Sequence, residues 1–285
     1  MRKEIERIKE LLNEAEAVLI GGGAGLSAAA GMKYGGDAFF ENFPDMNQKY
    51  GYADMYSAGF HPFQTSEEKW GYWCRFIYLQ RYKEGAKELY KKLLRLVKNK
   101  NYFVLTTNVD HQFQLAGFEK NRLFYTQGDY GLFQCSKPCH QKTYDNEATI
   151  KEMLLNLKDG LIPSELIPVC PVCGEEMSMN LRSDDTFVED EGWHQASQRY
   201  SQFLNENKNK KILFLELGVG WNTPGIIKYP FMRMTYRFKD AFYVSINKGQ
   251  NILPKEIESK ALIIDDDINT ILEDILANES ENGGF

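Results

Sequence analysis

Short apolar runs alternate with stretches of helical periodicity along most of this 285-residue chain. The runs contain many β-branched and aromatic residues, as do strands that are buried on both faces of a parallel sheet. The stretches between them repeat apolar residues every three or four positions, the pattern of amphipathic helices. We therefore predict an α/β fold with a Rossmann-like, doubly wound parallel sheet. Strands are predicted at residues 17–20, 102–106, 123–126, 212–217, 242–246 and 261–264, and helices at 4–15, 67–82, 86–98, 147–157 and 270–276.

The alternation lapses between Gly131 and about residue 184, where polar turns and four of the five cysteines lie. The rhythm of strands and helices returns at residue 212, so this stretch is predicted to be a small domain inserted into a larger one. Residues 1–130 and 185–285 would then form the Rossmann-like domain, with a helical and loop module at about 35–98. Residues 131–184 would form the inserted, zinc-ribbon-like domain.

Two pairs of cysteines in the predicted insertion have the spacing of metal ligands. Three residues separate Cys135 from Cys139, and two separate Cys170 from Cys173. Each pair can chelate one ion, and four thiolates in a tetrahedron make a closed zinc site. Free thiols or disulfides are the alternatives, as is a variant in which His140 replaces one cysteine. Because a closed site has no open position for water, we expect the zinc to be structural rather than catalytic.

The first predicted strand ends in a glycine-rich turn, Gly-Gly-Gly-Ala-Gly at residues 21–25, which leads into a helical stretch. Backbone N–H groups in such a turn can receive a pyrophosphate, although turns of this kind also serve tight packing. A dehydrogenase site further requires a second strand that ends in an acidic residue about 20 positions on. Residues 32–62 instead form an aromatic-rich tract with many turn residues, predicted to be a long ordered loop that covers a ligand. A dinucleotide is therefore predicted, and hydride transfer is disfavoured.

Three further predicted strands also end in polar or glycine residues. Asn108 and Asp110 follow the second strand, Gln127 and Asp129 follow the third, and Gly218 follows the fourth. The carboxyl ends of parallel strands lie at one edge of the sheet, where open α/β sheets bind ligands. An Asx turn or a helix cap would explain Asn108 and Asp110 on their own. Four such strand ends are hard to attribute to packing alone.

Composition excludes several classes of protein. A hydrophobic content of 43% is that of a globular chain rather than a disordered one. The net charge of −6 argues against general nucleic-acid binding, since phosphate backbones require clustered Lys and Arg. The first residues lack the apolar stretch of a secretory signal, and no segment is long and apolar enough to span a bilayer. We therefore expect a cytoplasmic protein without membrane or nucleic-acid partners.

The order of the motifs along the chain resembles that of the sirtuins. The motifs are Gly23-Ala24-Gly25-Leu26-Ser27, Thr106-Thr107-Asn108-Val109-Asp110, Gln127-Gly128-Asp129, the four cysteines, Gly218-Val219-Gly220 and Ile246-Asn247. The resemblance spans most of the chain and is specific in combination. It implies that NAD binds between a large Rossmann-like domain and a small zinc domain, with chemistry at the ribose carbon that carries nicotinamide.

The resemblance also implies roles for individual residues. Ala24, Gly25 and Ser27 would hold phosphates. Asn108 and Asp110 would line the nicotinamide pocket, and Asn247 would meet the adenosine ribose. The other positions implied to bind NAD are Gly23, Gln127, Gly218, Val219 and Lys248.

Gln127 departs from the deacylating sirtuins, which have a histidine at this position. Histidine titrates near neutral pH and can take a proton from a ribose hydroxyl, whereas an amide cannot, so deacylation should be impaired. Loss of nicotinamide needs mainly positioning and charge stabilisation. Asp129 could stabilise the resulting cation or deprotonate an incoming nucleophile. The predicted catalytic residues are Asn108, Gln127, Asp129 and Arg182.

Two features of the chain are similar to the macrodomain-linked (class M) microbial sirtuins. One is the glutamine at position 127, and the other is the segment Asn180-Leu181-Arg182-Ser183-Asp184-Asp185. Within this segment, Arg182 could steady the cofactor or the acceptor. The resemblance implies an NAD-dependent protein ADP-ribosyltransferase that releases nicotinamide. Its implied acceptor is a lipoylated carrier protein like the H protein of glycine cleavage, and its implied functional partner is a macrodomain hydrolase. The alternatives are an NAD glycohydrolase, a non-catalytic NAD or ADP-ribose sensor and, last, a residual protein deacylase.

Overall fold

The computed structural model describes residues 2–221, 224–249 and 252–277. Its strands are β1 (Ala17–Gly22), β2 (Tyr102–Thr106), β3 (Leu123–Tyr125), β4 (Gly128–Cys135), β5 (Tyr144–Asp145), β6 (Met177–Leu181), β7 (Ile212–Leu217), β8 (Ala241–Ile246) and β9 (Ala261–Ile264). Its α-helices are α1 (Arg2–Glu14), α2 (Ala24–Ala29), α3 (Asp37–Asn42), α4 (Pro44–Tyr50), α5 (Met55–Gly59), α6 (Ser66–Ile77), α7 (Glu88–Val97), α8 (Gln112–Leu115), α9 (Glu147–Leu155), α10 (Glu191–Asn207), α11 (Lys228–Arg237) and α12 (Ile268–Ala277). Within these ranges, no helix combines the length and the apolarity needed to cross a membrane.

Six parallel strands form the central sheet in the order β3-β2-β1-β7-β8-β9, and they correspond to the six strands predicted from the sequence. The chain builds the sheet outward in both directions from the neighbouring strands β1 and β7, which pair from Ala17 with Ile212 to Gly22 with Leu217. This is the doubly wound arrangement that the sequence predicts. Sheets of this kind bind ligands outside the carboxyl ends of the strands, at the point where the strand order reverses.

Helices cover both faces of the sheet. Successive side chains of a strand point to opposite faces, so each strand contributes to two cores. One core joins the sheet to α1, α7 and α12 through side chains that include Ile8, Leu93 and Ile271. The other joins it to α10 and α11 through side chains that include Phe203 and Phe231. Since both faces are covered, β1, β2 and β7 are buried along their whole lengths.

A second, smaller layer carries the cysteines. Strands β4, β5 and β6 form an antiparallel sheet in the order β5-β4-β6. Trp70 of α6 packs against Phe133 of β4 and Met153 of α9 in one buried cluster. Tyr72, also on α6, packs in another cluster with Phe43 and the short helices α3–α5. Helix α6 therefore connects the cysteine-bearing segment to the short helices that precede it in the chain.

Several elements differ from the sequence-based prediction. The tract at residues 32–62, predicted as a loop, contains α3, α4 and α5, which are too short to display a helical repeat. The helix predicted at 67–82 ends at Ile77 and continues as a π-helical turn, Tyr78–Tyr82. Helices α10 and α11 are missing from the prediction. In α10 the fully buried positions are Ala196, Phe203 and Asn207 among 17 residues, which makes the apolar stripe too sparse to recognise.

Candidate active site at the carboxyl edge of the sheet

The glycine-rich ends of β1 and β7 meet where the strand order reverses. The N–H of Gly25 donates to the Gly218 carbonyl at 2.8 Å. A Cβ on Gly23 would lie 2.7 Å from Val219 Cα, and one on Gly25 would lie 2.8 Å from Gly218 Cα. Gly218 also has a φ of 63°, a conformation that favours glycine. The two loops therefore touch backbone to backbone, which only residues without side chains permit.

The other predicted cofactor positions border this contact between the loops. Ala24 is exposed at the first position of α2. Asn247 follows β8, and its Nδ2 donates to the Val219 carbonyl at 3.3 Å. Lys248 is exposed next to it. The residues predicted to meet the phosphates and the adenosine ribose are thus grouped around the ends of β1, β7 and β8.

Asn108 belongs to a network of polar groups beneath the first glycine loop. Its Nδ2 donates to the Gly23 carbonyl and to Ser27 Oγ, both at 3.0 Å, and lies 3.3 Å from the Tyr90 hydroxyl. The Ser27 hydroxyl donates in turn to the Asp110 carboxylate and lies 3.1 Å from the Tyr90 hydroxyl. Ser27 is therefore turned toward Asn108 and Asp110, and its contact with a phosphate stays a prediction. Sequence reasoning missed Tyr90, because its apolar position on α7 is that of an ordinary core residue.

Asp110 is almost completely buried, with 2% of its surface exposed. Burial raises the pKa of its carboxyl, the hydrogen bond from Ser27 opposes this rise, and the negative charge of Asp129 adds to it. The backbone N–H of Gln112 donates to Asp110 Oδ1 at 3.0 Å. The pKa values of Tyr34 and Tyr90 are also raised, mainly by burial and to a lesser extent by the negative charge of Asp110. The predicted nicotinamide pocket is thus an environment of low polarity that disfavours ionisation.

The Asp110→Asn variant is expected to change how stability depends on pH. The pKa of the Asp110 carboxyl is higher in the folded protein than in the unfolded chain, where it is about 3.9. The stabilisation that Asp110 provides is therefore fully present below the unfolded-state pKa, and it is lost as the pH rises through the folded-state pKa. The unfolding free energy of the wild type minus that of the variant should therefore fall between about pH 4 and about pH 8. Urea denaturation at both pH values measures it. The exposed Asp274→Asn is the control, and a difference that grows with pH would contradict the account.

The segment that begins β4 runs alongside the loop after β2. The N–H of Thr126 donates to the Thr106 carbonyl at 3.0 Å, and the N–H of Tyr130 donates to the Val109 carbonyl at 2.9 Å. Gln127 lies between these two bonds and is half-buried. The structure therefore brings Gln127 beside the loop that contains Asn108 and Asp110, as expected from their places at neighbouring strand ends.

Arg182 lies next to Gln127 through its backbone, whereas its side chain points elsewhere. Its N–H donates to the Gln127 carbonyl at 3.1 Å. The guanidinium pairs with Glu189 and stacks on the rings of Phe187 and Trp193, 4.4 and 5.5 Å from the ring centroids. In this arrangement Arg182 adjoins the predicted site without aiming its charge into it, so its predicted contact with the cofactor or the acceptor remains a prediction.

Asp129 has both carboxylate oxygens engaged inside the protein. Oδ1 accepts from Arg81 Nε at 3.2 Å and from the Gly131 N–H at 2.7 Å, and Oδ2 contacts His111 Nδ1. Both oxygens thus have partners within the protein, and the predicted contact of Asp129 with the cation or the nucleophile stays a prediction. Sequence reasoning missed Arg81 and His111. His111 could have been found from the sequence, because it directly follows the motif that ends at Asp110. No sequence feature near Arg81 indicates that it belongs to the site.

The four predicted metal ligands come together in the small layer. The sulfurs of Cys135, Cys139, Cys170 and Cys173 all lie within 4.8 Å of one another. The distance from Cys135 Sγ to Cys173 Sγ is 3.5 Å, and that from Cys139 Sγ to Cys170 Sγ is 3.6 Å. A tetrahedral ion with Zn–S bonds of about 2.3 Å spaces its sulfurs about 3.8 Å apart. The cluster therefore fits one zinc ion, and its four thiolates complete the coordination.

His140 stands beside this cluster rather than within it. Its Nδ1 lies 3.0 Å from Cys139 Sγ, and its Nε2 lies 2.8 Å from the Tyr144 hydroxyl. A ring held between a ligand sulfur and a tyrosine is suited to orienting that ligand. The four-cysteine arrangement therefore accounts for the site without the variant in which His140 replaces a cysteine.

Comparison with known proteins identifies the family. No family model matches the chain. A protein ADP-ribosyltransferase of Staphylococcus aureus (strain Mu50) is 39% identical over 279 residues, which cover 98% of this chain and 89% of that protein. A probable bifunctional ADP-ribose hydrolase/ADP-ribosyltransferase of Fusarium oxysporum f. sp. cubense is 34% identical over 234 residues, which cover 78% of this chain and 38% of that protein.

Solved structures with the same fold are sirtuins. One, from a study of the structural basis of sirtuin substrate affinity, has a TM-score of 0.62 at 18% identity over 98% of this chain and 99% of that chain. A Sir2 homologue in complex with NAD has a TM-score of 0.62 at 12% identity over 97% of this chain and 94% of that chain. The fold is therefore that of the sirtuins. The chain belongs to the sirtuin-family protein ADP-ribosyltransferases, which confirms the family resemblance found in the sequence.

Proposed function

We propose that this protein transfers ADP-ribose from NAD to a protein acceptor and releases nicotinamide. The observation that carries the proposal is the grouping at one edge of the sheet of the two glycine loops, the Asn108 network and the non-titrating side chain of Gln127. The identity to the Staphylococcus aureus ADP-ribosyltransferase over nearly the whole chain supports the same reaction.

The reaction requires one bond to break and one to form at the same carbon. The bond between ribose C1′ and the nicotinamide nitrogen breaks, and its electron pair leaves with nicotinamide. Positive charge then builds up on the ribose until the acceptor's nucleophile bonds to C1′ and gives up a proton. The Asn108 amide, fixed by its bonds to Gly23 and Ser27, is a preorganised dipole that costs no reorganisation as this charge develops.

Gln127 favours transfer to an external acceptor over deacylation. Deacylation in this fold requires a base for a ribose hydroxyl, and an amide side chain does not accept a proton near neutral pH. Gln127 can still hydrogen-bond to a hydroxyl, because it offers both a donor and an acceptor. We therefore assign it to orienting the ribose, with Asn108 and Asp110 at the nicotinamide end.

The proposed acceptor is a lipoylated carrier protein like the H protein of glycine cleavage, and the proposed partner is a macrodomain hydrolase that removes the modification. The resemblance to the macrodomain-linked sirtuins supports both. The Fusarium relative, named for both an ADP-ribose hydrolase and an ADP-ribosyltransferase, supports the second. Tyr56 and Phe60 on and after α5 are each 70% exposed with ring centroids 5.1 Å apart, and this open aromatic pair supports contact with an apolar arm.

Incubation with NAD labelled in its adenylate half and with a carrier protein in lipoylated and unlipoylated forms tests the proposal. We expect label on the lipoylated carrier and much less on the unlipoylated one. Equal labelling of both forms would overturn the lipoyl requirement. Rapid release of free ADP-ribose without any carrier would identify an NAD glycohydrolase, and binding of NAD without release of nicotinamide would identify a sensor.

A further inference from the structure

The proposed catalytic site has glutamine, not histidine, at position 127, yet another histidine stands beside the site. His111 follows Asp110 in the loop between β2 and α8. Its φ is 64°, in the left-handed region that residues other than glycine seldom adopt. Such conformations persist where the surrounding structure holds them, and they concentrate at functional sites. The loop therefore holds His111 in a fixed orientation at some energetic cost.

The contact with Asp129 decides which ring nitrogen of His111 carries the proton. An ionised carboxylate accepts hydrogen bonds and cannot donate them, so Nδ1 must bear the hydrogen in the contact with Oδ2. In the neutral ring, Nε2 then keeps its lone pair and can accept a proton. The same relation between a carboxylate and an imidazole prepares the histidine of hydrolytic triads to act as a general base.

Two further groups hold Asp129 in place for this contact. Arg81 and the N–H of Gly131 both donate to Oδ1, which leaves Oδ2 to His111. Arg81 belongs to the π-helical turn after α6, and such turns are frequent at functional sites. A Cβ on Gly131 would lie 3.0 Å from Arg81 Nε and 3.1 Å from Asp129 Oδ1, so a glycine preserves the space that the ion pair occupies.

His111 is the most exposed of these three groups. The side chain of Asp129 is 5% exposed, that of Arg81 is 14% exposed and that of His111 is 27% exposed. Nδ1 faces the buried carboxylate, so Nε2 is the ring nitrogen that does not contact Asp129. His111 is therefore the member of this group of three that is most open to an acceptor approaching from solvent.

We propose that His111 is the general base of the transfer reaction, and that Asp129 and Arg81 are positioning residues that act through it. The proposal rests on the proposed function. After the bond from ribose C1′ to nicotinamide breaks with its electron pair on nicotinamide, the acceptor's nucleophile bonds to C1′ and its proton passes to His111 Nε2. The charged groups around the imidazole are Asp129 from β4, Arg81 behind it and Asp110 from the same loop.

Comparison of two reactions tests this role of His111. Transfer to a carrier protein requires removal of the nucleophile's proton, whereas exchange of labelled nicotinamide into NAD does not. The variants are His111→Gln and His111→Gly, and the second suits the positive φ, so misfolding is not its expected effect. Each should lower transfer by about 10²–10⁴-fold and leave exchange within about threefold of the wild type. Added imidazole should restore part of the transfer by His111→Gly, and the exposed His194→Gln is the matched control.

The pH profile separates a base from a structural residue. Transfer by the wild type should fall at acid pH as the base becomes protonated, and this limb should vanish in His111→Gln. Asp129→Asn should alter the same limb, because an amide can hold the ring in the opposite tautomer. Transfer retained by both His111 variants, or an equal loss of exchange and transfer, would overturn the proposal. A wild type that exchanges nicotinamide without modifying any protein would instead overturn the proposed function.

Discussion

The Asn108→Ala variant is expected to lose about 10²–10³-fold in the rate of ADP-ribosyl transfer while keeping its fold. The amide of Asn108 is held by the Gly23 carbonyl and by Ser27, so it presents a fixed dipole where charge develops on the ribose. Removing one such preorganised group is costly in rate, because water that fills the space must reorganise as the charge appears. The rate at which label from saturating NAD appears on the carrier protein measures the loss directly.

A second asparagine at the opposite end of the same strand is the control for Asn108→Ala. Asn101 precedes β2, and its Nδ2 donates to Asn207 Oδ1 at 3.1 Å, far from the carboxyl edge. Asn101→Ala should leave the rate within about twofold of the wild type, since surface substitutions away from a site are nearly neutral. Equal losses in both variants would mean that Asn108 acts through stability, and full activity of Asn108→Ala would show that the site is misplaced.

The Cys170→Ser variant is expected to release zinc and to destabilise the protein by at least about 4 kcal/mol, a size associated with loss of a structural metal. Cys170 is buried against the core of the small layer, and its sulfur lies 3.6 Å from that of Cys139. A serine hydroxyl is a poor substitute for a thiolate, so the remaining ligands should hold the ion weakly. Zinc content per chain and the midpoint of urea denaturation measure the two effects.

The cysteine outside the cluster supplies a matched control. Cys74 is buried on α6, and its thiol donates to the Gly71 carbonyl at 3.5 Å. Cys74→Ser changes the same atom in a buried setting, yet it should leave the zinc content at about one ion per chain. A zinc content that is unchanged in Cys170→Ser would contradict the metal site, whatever its effect on stability.

The strands of the central sheet could be predicted because they are buried on both faces and therefore consist of apolar runs. Helix α10 could not, because much of its surface faces solvent and its buried residues are widely spaced among serines and glutamines. The short helices α3–α5 depend on packing against Tyr72 and its neighbours in α6 rather than on a repeat of their own. Tertiary packing thus determines the elements that local patterns leave ambiguous.

In the candidate site, too, some features could be predicted from local sequence patterns, whereas others depend on tertiary packing. The approach of Gln127 to the loop of Asn108 could be predicted, because neighbouring parallel strands bring their carboxyl ends together. The cysteine cluster could be predicted from ligand spacing. The link from Arg81 through Asp129 to His111 joins residues 48 and 18 positions apart, and no local pattern encodes it. The pairing of Arg182 with Glu189 likewise depends on the fold of the segment after β6.

The ratio of protein-bound ADP-ribose to released nicotinamide tests the central claim most directly. The protein is incubated with labelled NAD and a lipoylated carrier, and both products are followed over time by mass spectrometry. Transfer predicts that the two amounts rise together in a ratio of about one, since breaking each glycosidic bond modifies one acceptor. Nicotinamide that accumulates with free ADP-ribose, while the carrier stays unmodified, would contradict the account.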